Sequence, residues 1–283
     1  MNLLDVDQIS AKQINDIFVL ADSLRLNNEG SSTLLAGKTF VLFFPETSIR
    51  TRVTFEKGIK ELGGECILFP PETLDKREAL RDLMNYLNNW VDGIIVRHSS
   101  YSIIQELAAQ SVMPVINAMT SENHPCEILS DLYTISRQRE NFRELAYTFV
   151  GPPGNICRSW ANVASVMNLQ FNHVCAQGYQ LGASSANYKF HTELEDILVH
   201  SDVILTDSLP MDLQSDEYIS KYQITLERMK MTKSNAILNP CPPFFRGEEV
   251  SGDAISSDYF VGYSFKKNLL YVQLAIVLYC LMK

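Results

Sequence analysis

TFVLFFPETSIRTRVTFEKGIKELGGECILF, residues 39–69, changes its hydrophobic period twice. Thr39 to Phe44 is an unbroken β-prone apolar run and Pro45-Glu46-Thr47-Ser48 a polar turn. Phe55, Ile59 and Leu62 then recur at helical spacing, and Cys66 to Phe69 is again a short apolar run. A strand, a helix and a second strand in that order predict a parallel βαβ unit. A first strand without polar alternation is one buried on both faces.

The same alternation continues on both sides of this stretch. Upstream, Ser10 and Gln13 form a capping box ahead of Ile14, Ile17, Phe18, Ala21 and Leu24, so a helix precedes the first strand and ends at Gly30 and the serines after it. Downstream, the pattern predicts a helix over 78–90, a strand over 92–96, a helix over 102–109, a strand over 112–116 and a helix over 127–139. A charged stretch from Arg137 to Glu144 separates this half from a second series. That series has strands at 146–150, 171–176, 203–206 and 236–238 and helices at 158–167 and 192–200. The fold class predicted is α/β, with two domains that are each a parallel sheet flanked by helices and a boundary near residue 140.

Composition agrees. The chain has 283 residues, 46% of them hydrophobic and 20% charged, with 13 Gly and 11 Pro, which suits two modest globular cores and leaves little room for disorder. A net charge of −9 argues against nucleic acid or an anionic membrane as partner, so any anion must be captured by a local cluster. The start carries acids early, unlike a signal peptide. The apolar segment Asn268 to Met282 is shorter than the ~20 residues of a membrane span and reads as a buried C-terminal helix. Six scattered cysteines with no C-x-x-C pair predict reduced thiols in a cytoplasmic protein and no structural metal.

Ligands of open parallel sheets bind beyond the carboxyl ends of the strands. After the first strand come Ser48-Ile49-Arg50-Thr51-Arg52, where hydroxyls, guanidinium groups and the free N–H groups of a helix start converge, as a phosphate site requires. The alternative is a plain N-cap at Ser48 with Arg50 and Arg52 solvated. Arg97 and His124 follow later strands and can donate to an oxygen that gains charge, or can serve as a surface ion pair and a helix cap. His124 and Cys126 lack the further ligands of a metal site. Gly151-Pro152-Pro153-Gly154-Asn155 is a turn, but its prolines remove the donors that a dinucleotide needs. No cofactor is expected. Asp207 and Cys241 end the later strands, suited to an ammonium-bearing substrate or, alternatively, to a turn and an inert thiol.

In order along the chain, FFPETSIRTRVTFEKGIKELGG, DGIIVRH, HPCEILSDLYTI, FVGPPGN and CPPFFRGEEV resemble the five motifs of the aspartate/ornithine carbamoyltransferase family, nearer its ornithine-type and N-acyl-ornithine-type members. The resemblance covers nearly the whole chain. It implies a carbamoyl-phosphate domain over 1–138, an amine-substrate domain over 139–265 and a C-terminal helix, 266–283, returning to the first domain. It also implies transfer of a carbamoyl group from carbamoyl phosphate to the amine of ornithine or a related or N-modified diamino acid.

By matching position, Ser48, Ile49, Arg50, Thr51, Arg97, His124 and Glu127 would hold carbamoyl phosphate. Lys76 would extend into a neighbouring subunit's site, implying a homotrimer. Asn155, Asp207, Cys241 and Pro242 would hold the amine, and Arg97, His124 and Cys241 form the catalytic set. The chain departs from the family pattern at Ile49, where a hydroxyl residue is usual, at Glu127, where a glutamine is usual, at Pro240 and Pro242, and in SLPMD after Asp207. Those departures support a rival expectation, a catalytically impaired relative that acts as a ligand-binding or regulatory subunit.

Overall fold

In a computed structural model, which describes residues 1–26 and 33–282, the chain divides into two units, Met1–Thr134 with Lys266–Lys283, and Ile135–Phe265. The expected helix end at Gly30 lies outside the described residues.

The first unit runs α1 (Ala11–Leu26), β1 (Thr39–Phe43), α2 (Ile49–Glu61), β2 (Glu65–Phe69), α3 (Leu80–Leu87), β3 (Gly93–Arg97), α4 (Tyr101–Gln110), β4 (Val115–Met119) and α5 (Pro125–Gln138). All four strands are parallel, in the order β2-β1-β3-β4. Val41, Phe43, Ile94, Val96 and Val115 pack on Met84, Ile104 and Leu107, while Phe40, Leu42 and Ile95, on the opposite pleat, are also buried. A side chain of this size, fully buried, contributes about 1.5–3 kcal/mol. The capping box forms as the sequence predicts: the Ser10 N–H donates to Gln13 Oε1 at 2.9 Å, and the Gln13 N–H to Ser10 Oγ at 3.3 Å.

The second unit contains β5 (Ala146–Val150), α6 (Asn155–Met167), β6 (Gln170–Val174), β7 (Tyr188–His191), α7 (Glu195–Leu198), β8 (Val203–Thr206), α8 (Asp216–Tyr222), α9 (Leu226–Lys230), β9 (Ile237–Pro240) and α10 (Gly252–Ile255). Its five parallel strands lie in the order β7-β6-β5-β8-β9. α11 (Asn268–Met282) belongs to the first unit, where it packs on α1 and α2. Counted from the 3-10 turn before it, this helix spans 20 residues and is long and apolar enough to cross a membrane, not too short as expected. Its apolarity is accounted for by its neighbours: Val272, Ala275, Ile276 and Val277 are buried. Gly58 of α2 permits the close approach, since a Cβ there would stand 2.9 Å from Leu274.

Several elements shift from the sequence reading. The strand expected over 112–116 begins at Val115, because Pro114 lacks an N–H and Val112 is 87% exposed. The helix expected over 78–90 is trimmed to α3. The strand expected over 171–176 is Gln170–Val174, and that over 236–238 extends through Pro240. Pro240 is tolerated because β9 is an edge strand. The helix expected over 192–200 contracts to α7, behind the unforeseen β7.

Candidate active site

In each sheet the chain reverses its direction of travel once, between β1 and β3 in the first unit and between β5 and β8 in the second. Ligand crevices open at such reversals, outside the carboxyl ends of the two strands.

In the first unit β1 leads to Ser48 and β3 ends at Arg97. Ser48 is the N-cap residue of α2 but makes no capping bond; its buried hydroxyl instead accepts from Arg97 Nη1 at 3.1 Å. Ser48 is therefore bonded to Arg97 rather than acting as a plain N-cap, while Arg50 is exposed as the alternative reading expects. α2 carries no acid in its first turn, so no carboxylate of its own competes for the positive end of its dipole. Thr51 is buried at that end. Arg50 is exposed, yet near enough to Glu127 to lower its pKa.

Arg97 is aimed by an irregularity. Val96 pairs with Asn117 but Arg97 with Met119, so β4 carries an extra residue at the point where β3 ends. Arg97 also lines a cleft of about 300 Å³ with Pro45, Ser99, Thr120 and Ser121. Beside it His98 is fixed: Nδ1 accepts from the Ser100 N–H at 3.0 Å, so Nε2 carries the proton and donates to Asp75 at 3.1 Å.

His124 is set by a polar turn. Thr120 Oγ1 donates to Asn123 Oδ1 at 2.7 Å, Asn117 Nδ2 donates to the same oxygen at 2.6 Å, and Asn123 Nδ2 donates to Asp5 Oδ2 at 2.8 Å. The His124 carbonyl accepts from the Ile128 N–H at 3.3 Å, so its backbone begins α5 while the ring is buried. Burial pushes the imidazole pKa down to about 4; Glu127 opposes this, and Arg97 and Lys266 reinforce it. At neutral pH the ring is an uncharged donor.

Glu127 is buried on the first turn of α5. Lys266 Nζ donates to its Oε1 at 2.8 Å and to both oxygens of Asp131 at 2.7 and 2.9 Å. Burial alone would raise the Glu127 pKa, but Lys266, His124 and Arg50 outweigh it and hold the carboxyl below its ordinary value. Lys266 was missed from the sequence, where it stands in FKKN ahead of an apolar helix.

Two other expected donor-side residues stand apart. The Ile49 side chain is 69% exposed, so the aliphatic residue does not fill the crevice. Lys76 is exposed after a 3-10 turn, Pro71–Asp75, and makes no hydrogen bond or ion pair among the described residues.

In the second unit β5 runs into Gly151, whose φ of 141° suits glycine. The Gly151 carbonyl accepts from His173 Nε2 at 2.8 Å, so the Tyr188 hydroxyl, 3.1 Å from Nδ1, donates to that nitrogen. Asn155 is buried at the start of α6. Asp207 follows β8, accepts from the Ser208 N–H at 2.9 Å and approaches Gly154, where a Cβ would lie 3.7 Å from its Oδ2. Cys241 is buried after β9, its N–H donating to the Thr206 carbonyl at 2.9 Å, and Pro242 follows it in a cis Pro242-Pro243 pair. Glu249, within CPPFFRGEEV, carries no marker of a role in the sequence. It is buried, accepts from the Phe245 N–H at 2.7 Å, and leaves Oε2 without a partner. Burial, with the charges of Glu248 and Asp207, raises its pKa to about 7.

Among the described residues no group of three or more His, Cys, Asp and Glu is placed to hold a metal, and none of the six cysteines forms a disulfide.

Residues 1–137 match the carbamoyl-P binding domain of aspartate/ornithine carbamoyltransferases, and residues 143–280 match the Asp/Orn binding domain. The chain is 31% identical over 300 residues to an ornithine carbamoyltransferase of Carboxydothermus hydrogenoformans, covering 98% of this chain and 96% of the relative. It is 30% identical over 296 residues to one of Nitrobacter winogradskyi, with 99% and 96% covered. Among solved structures, ornithine carbamoyltransferase from Burkholderia thailandensis superposes with a TM-score of 0.90 at 26% identity, over 99% of this chain and 98% of that one. The enzyme from Thermus thermophilus gives 0.89 at 26%, over 100% and 99%.

Proposed function

The chain belongs to the aspartate/ornithine carbamoyltransferase family and is a carbamoyltransferase, and on that premise we propose that it moves the carbamoyl group of carbamoyl phosphate to the side-chain amine of ornithine or a closely related diamino acid. The observation that carries the donor half is the Ser48–Arg97 hydrogen bond, which joins the loop after β1 to the end of β3 and makes one anion-binding surface of them.

Ser48, Arg50, Thr51 and the first-turn N–H groups of α2 take the phosphate, Ile49 contributing its backbone alone. Arg97, Thr51 and the neutral His124 donate to the carbonyl oxygen, and Glu127 accepts from the carbamoyl NH2. The amine attacks the carbonyl carbon, a C–N bond forms, and the oxyanion is stabilised by donors already in place. The C–O bond to phosphate then breaks, and the departing phosphate takes the proton released by the new C–N nitrogen. The second unit supplies the amine, with Asp207 as the carboxylate facing an ammonium and Asn155, Cys241 and Pro242 around it. Because SLPMD follows Asp207, the far end of the acceptor is the part to vary in assay.

The rival reading, an impaired binding subunit, rested on Ile49, Glu127 and Pro240. Each has a benign explanation: an exposed side chain, an ion-paired carboxylate and an edge-strand position. The test is formation of ureido product from carbamoyl phosphate with ornithine, N-acetylornithine and 2,4-diaminobutyrate. Turnover with one of them is expected; no product with any amine, despite carbamoyl phosphate binding, would return the rival reading.

We further propose a homotrimer in the cytoplasm. Supporting the first is the edge strand β2, which exposes Ile67 and Phe69, an unprotected apolar edge that a second copy would cover. Supporting the second are six cysteines that form no disulfide.

A further inference from the structure

A carboxylate buried beside a phosphate site is an electrostatic liability. Glu127 stands on the first turn of α5, three residues after His124, and both His124 and Arg50 lie close enough to lower its pKa, so it stands among the groups that would meet a bound phosphoryl group. An unpaired charge there would oppose the anion directly, since little solvent screens it. Lys266 reduces the liability. Its ammonium is hydrogen-bonded to Glu127 at 2.8 Å and held from the other side by Asp131 at 2.7 Å, and its side chain is 17% exposed. Oε1 of Glu127 is taken by the lysine, whereas Oε2 makes no hydrogen bond among the described residues and is free to accept an N–H. Asp131 is the anchor: both of its oxygens accept from Nζ, which ties the ammonium to a second carboxylate besides Glu127. Lys266 is also the residue at which the chain re-enters the first unit, so this cation comes from a segment far in sequence from every other donor-site group.

We propose that Lys266 is the positioning residue of the donor site. Acting through Glu127, it offsets the carboxylate's repulsion of phosphate and turns Oε2 toward a ligand bearing an N–H. The inference rests on the reading of the first unit as a phosphate-binding site.

The test uses the full-length protein with inorganic phosphate in calorimetry and steady-state rates against carbamoyl phosphate. Lys266→Met is expected to weaken phosphate binding at least tenfold and to raise KM for carbamoyl phosphate more than it lowers kcat. Because the substitution also strands Asp131 and can reduce folding, two double variants decide the matter. Lys266→Met with Glu127→Gln should recover most of the phosphate affinity, while Lys266→Met with Asp131→Asn should recover thermal stability without it. Equal rescue by both, rescue by neither, or a Lys266→Met protein that binds phosphate like the wild type would overturn the inference while leaving the donor site in place. A wild-type protein that binds neither phosphate nor carbamoyl phosphate would overturn the site reading itself.

Discussion

The crevice between β1 and β3 and the crevice between β5 and β8 arise from the same topological device, yet one gathers guanidinium, hydroxyl and imidazole donors and the other a carboxylate, a thiol and a second, partly protonated carboxyl. Strand order fixes where a ligand can enter; the two or three residues beyond each strand fix the sign of its charge. A net charge of −9 makes the contrast sharper, because the first crevice holds its cations against the balance of the whole chain. It does so with local means: a helix start without acids, an arginine aimed by a shifted register, and a lysine spent on neutralising one glutamate.

The largest effect is expected at Arg97. Arg97→Ala removes the bond to Ser48 and, on the proposed mechanism, one oxyanion donor, and the ureido-product rate should fall on the order of 100-fold or more. Far-UV circular dichroism and the melting temperature should change little, since the residue is half-buried at a strand end. Near-normal turnover would detach Arg97 from the reaction and erase the distinction between the crevices.

A smaller and complementary effect belongs to Asp207. Asp207→Asn keeps an acceptor for the Ser208 N–H but loses the charge, so KM for the amine should rise about tenfold, the scale of one charge-assisted hydrogen bond. Phosphate affinity by calorimetry should not move. A matched loss of phosphate binding would mean that the two crevices are not chemically separate.

The smallest effect concerns Glu249. Its folded pKa of about 7 lies above the ordinary 4.5, so the stability it contributes is fully present below pH 4.5 and is lost as pH rises through 7. Melting curves between pH 6 and 8 should show the wild type losing a few degrees relative to Glu249→Gln, which can still accept from the Phe245 N–H. Parallel curves for the two proteins would remove Glu249 as the titrating group of the second crevice.

Legibility in the sequence followed element length. The long amphipathic helices and the apolar strands β1, β3, β5 and β8 were plain, because each spans enough residues for its period to show. β7, with four residues, and α8 to α10, with seven or fewer, were not read, being too short for a helical or alternating pattern to stand out. β4 was placed early because Val112 is apolar, and only the fold leaves it in solvent. The Ser48 loop, Arg97 and His124 stand out as candidates in the sequence because each directly follows a strand or begins a helix. Lys266 and Glu249 carried no such marker.

The sequence by itself determined the alternation of strands and helices, the position of each polar loop at a strand's end, and hence which residues can meet a ligand. These are properties of short windows, set by backbone geometry and side-chain periodicity. Only the tertiary structure decided their electrical state: that Glu127 is matched by a lysine 139 residues away, that His124 is neutral, and that Glu249 holds its proton to about pH 7. Desolvation and charge pairing depend on atoms that folding brings together from distant segments, and no local pattern contains them.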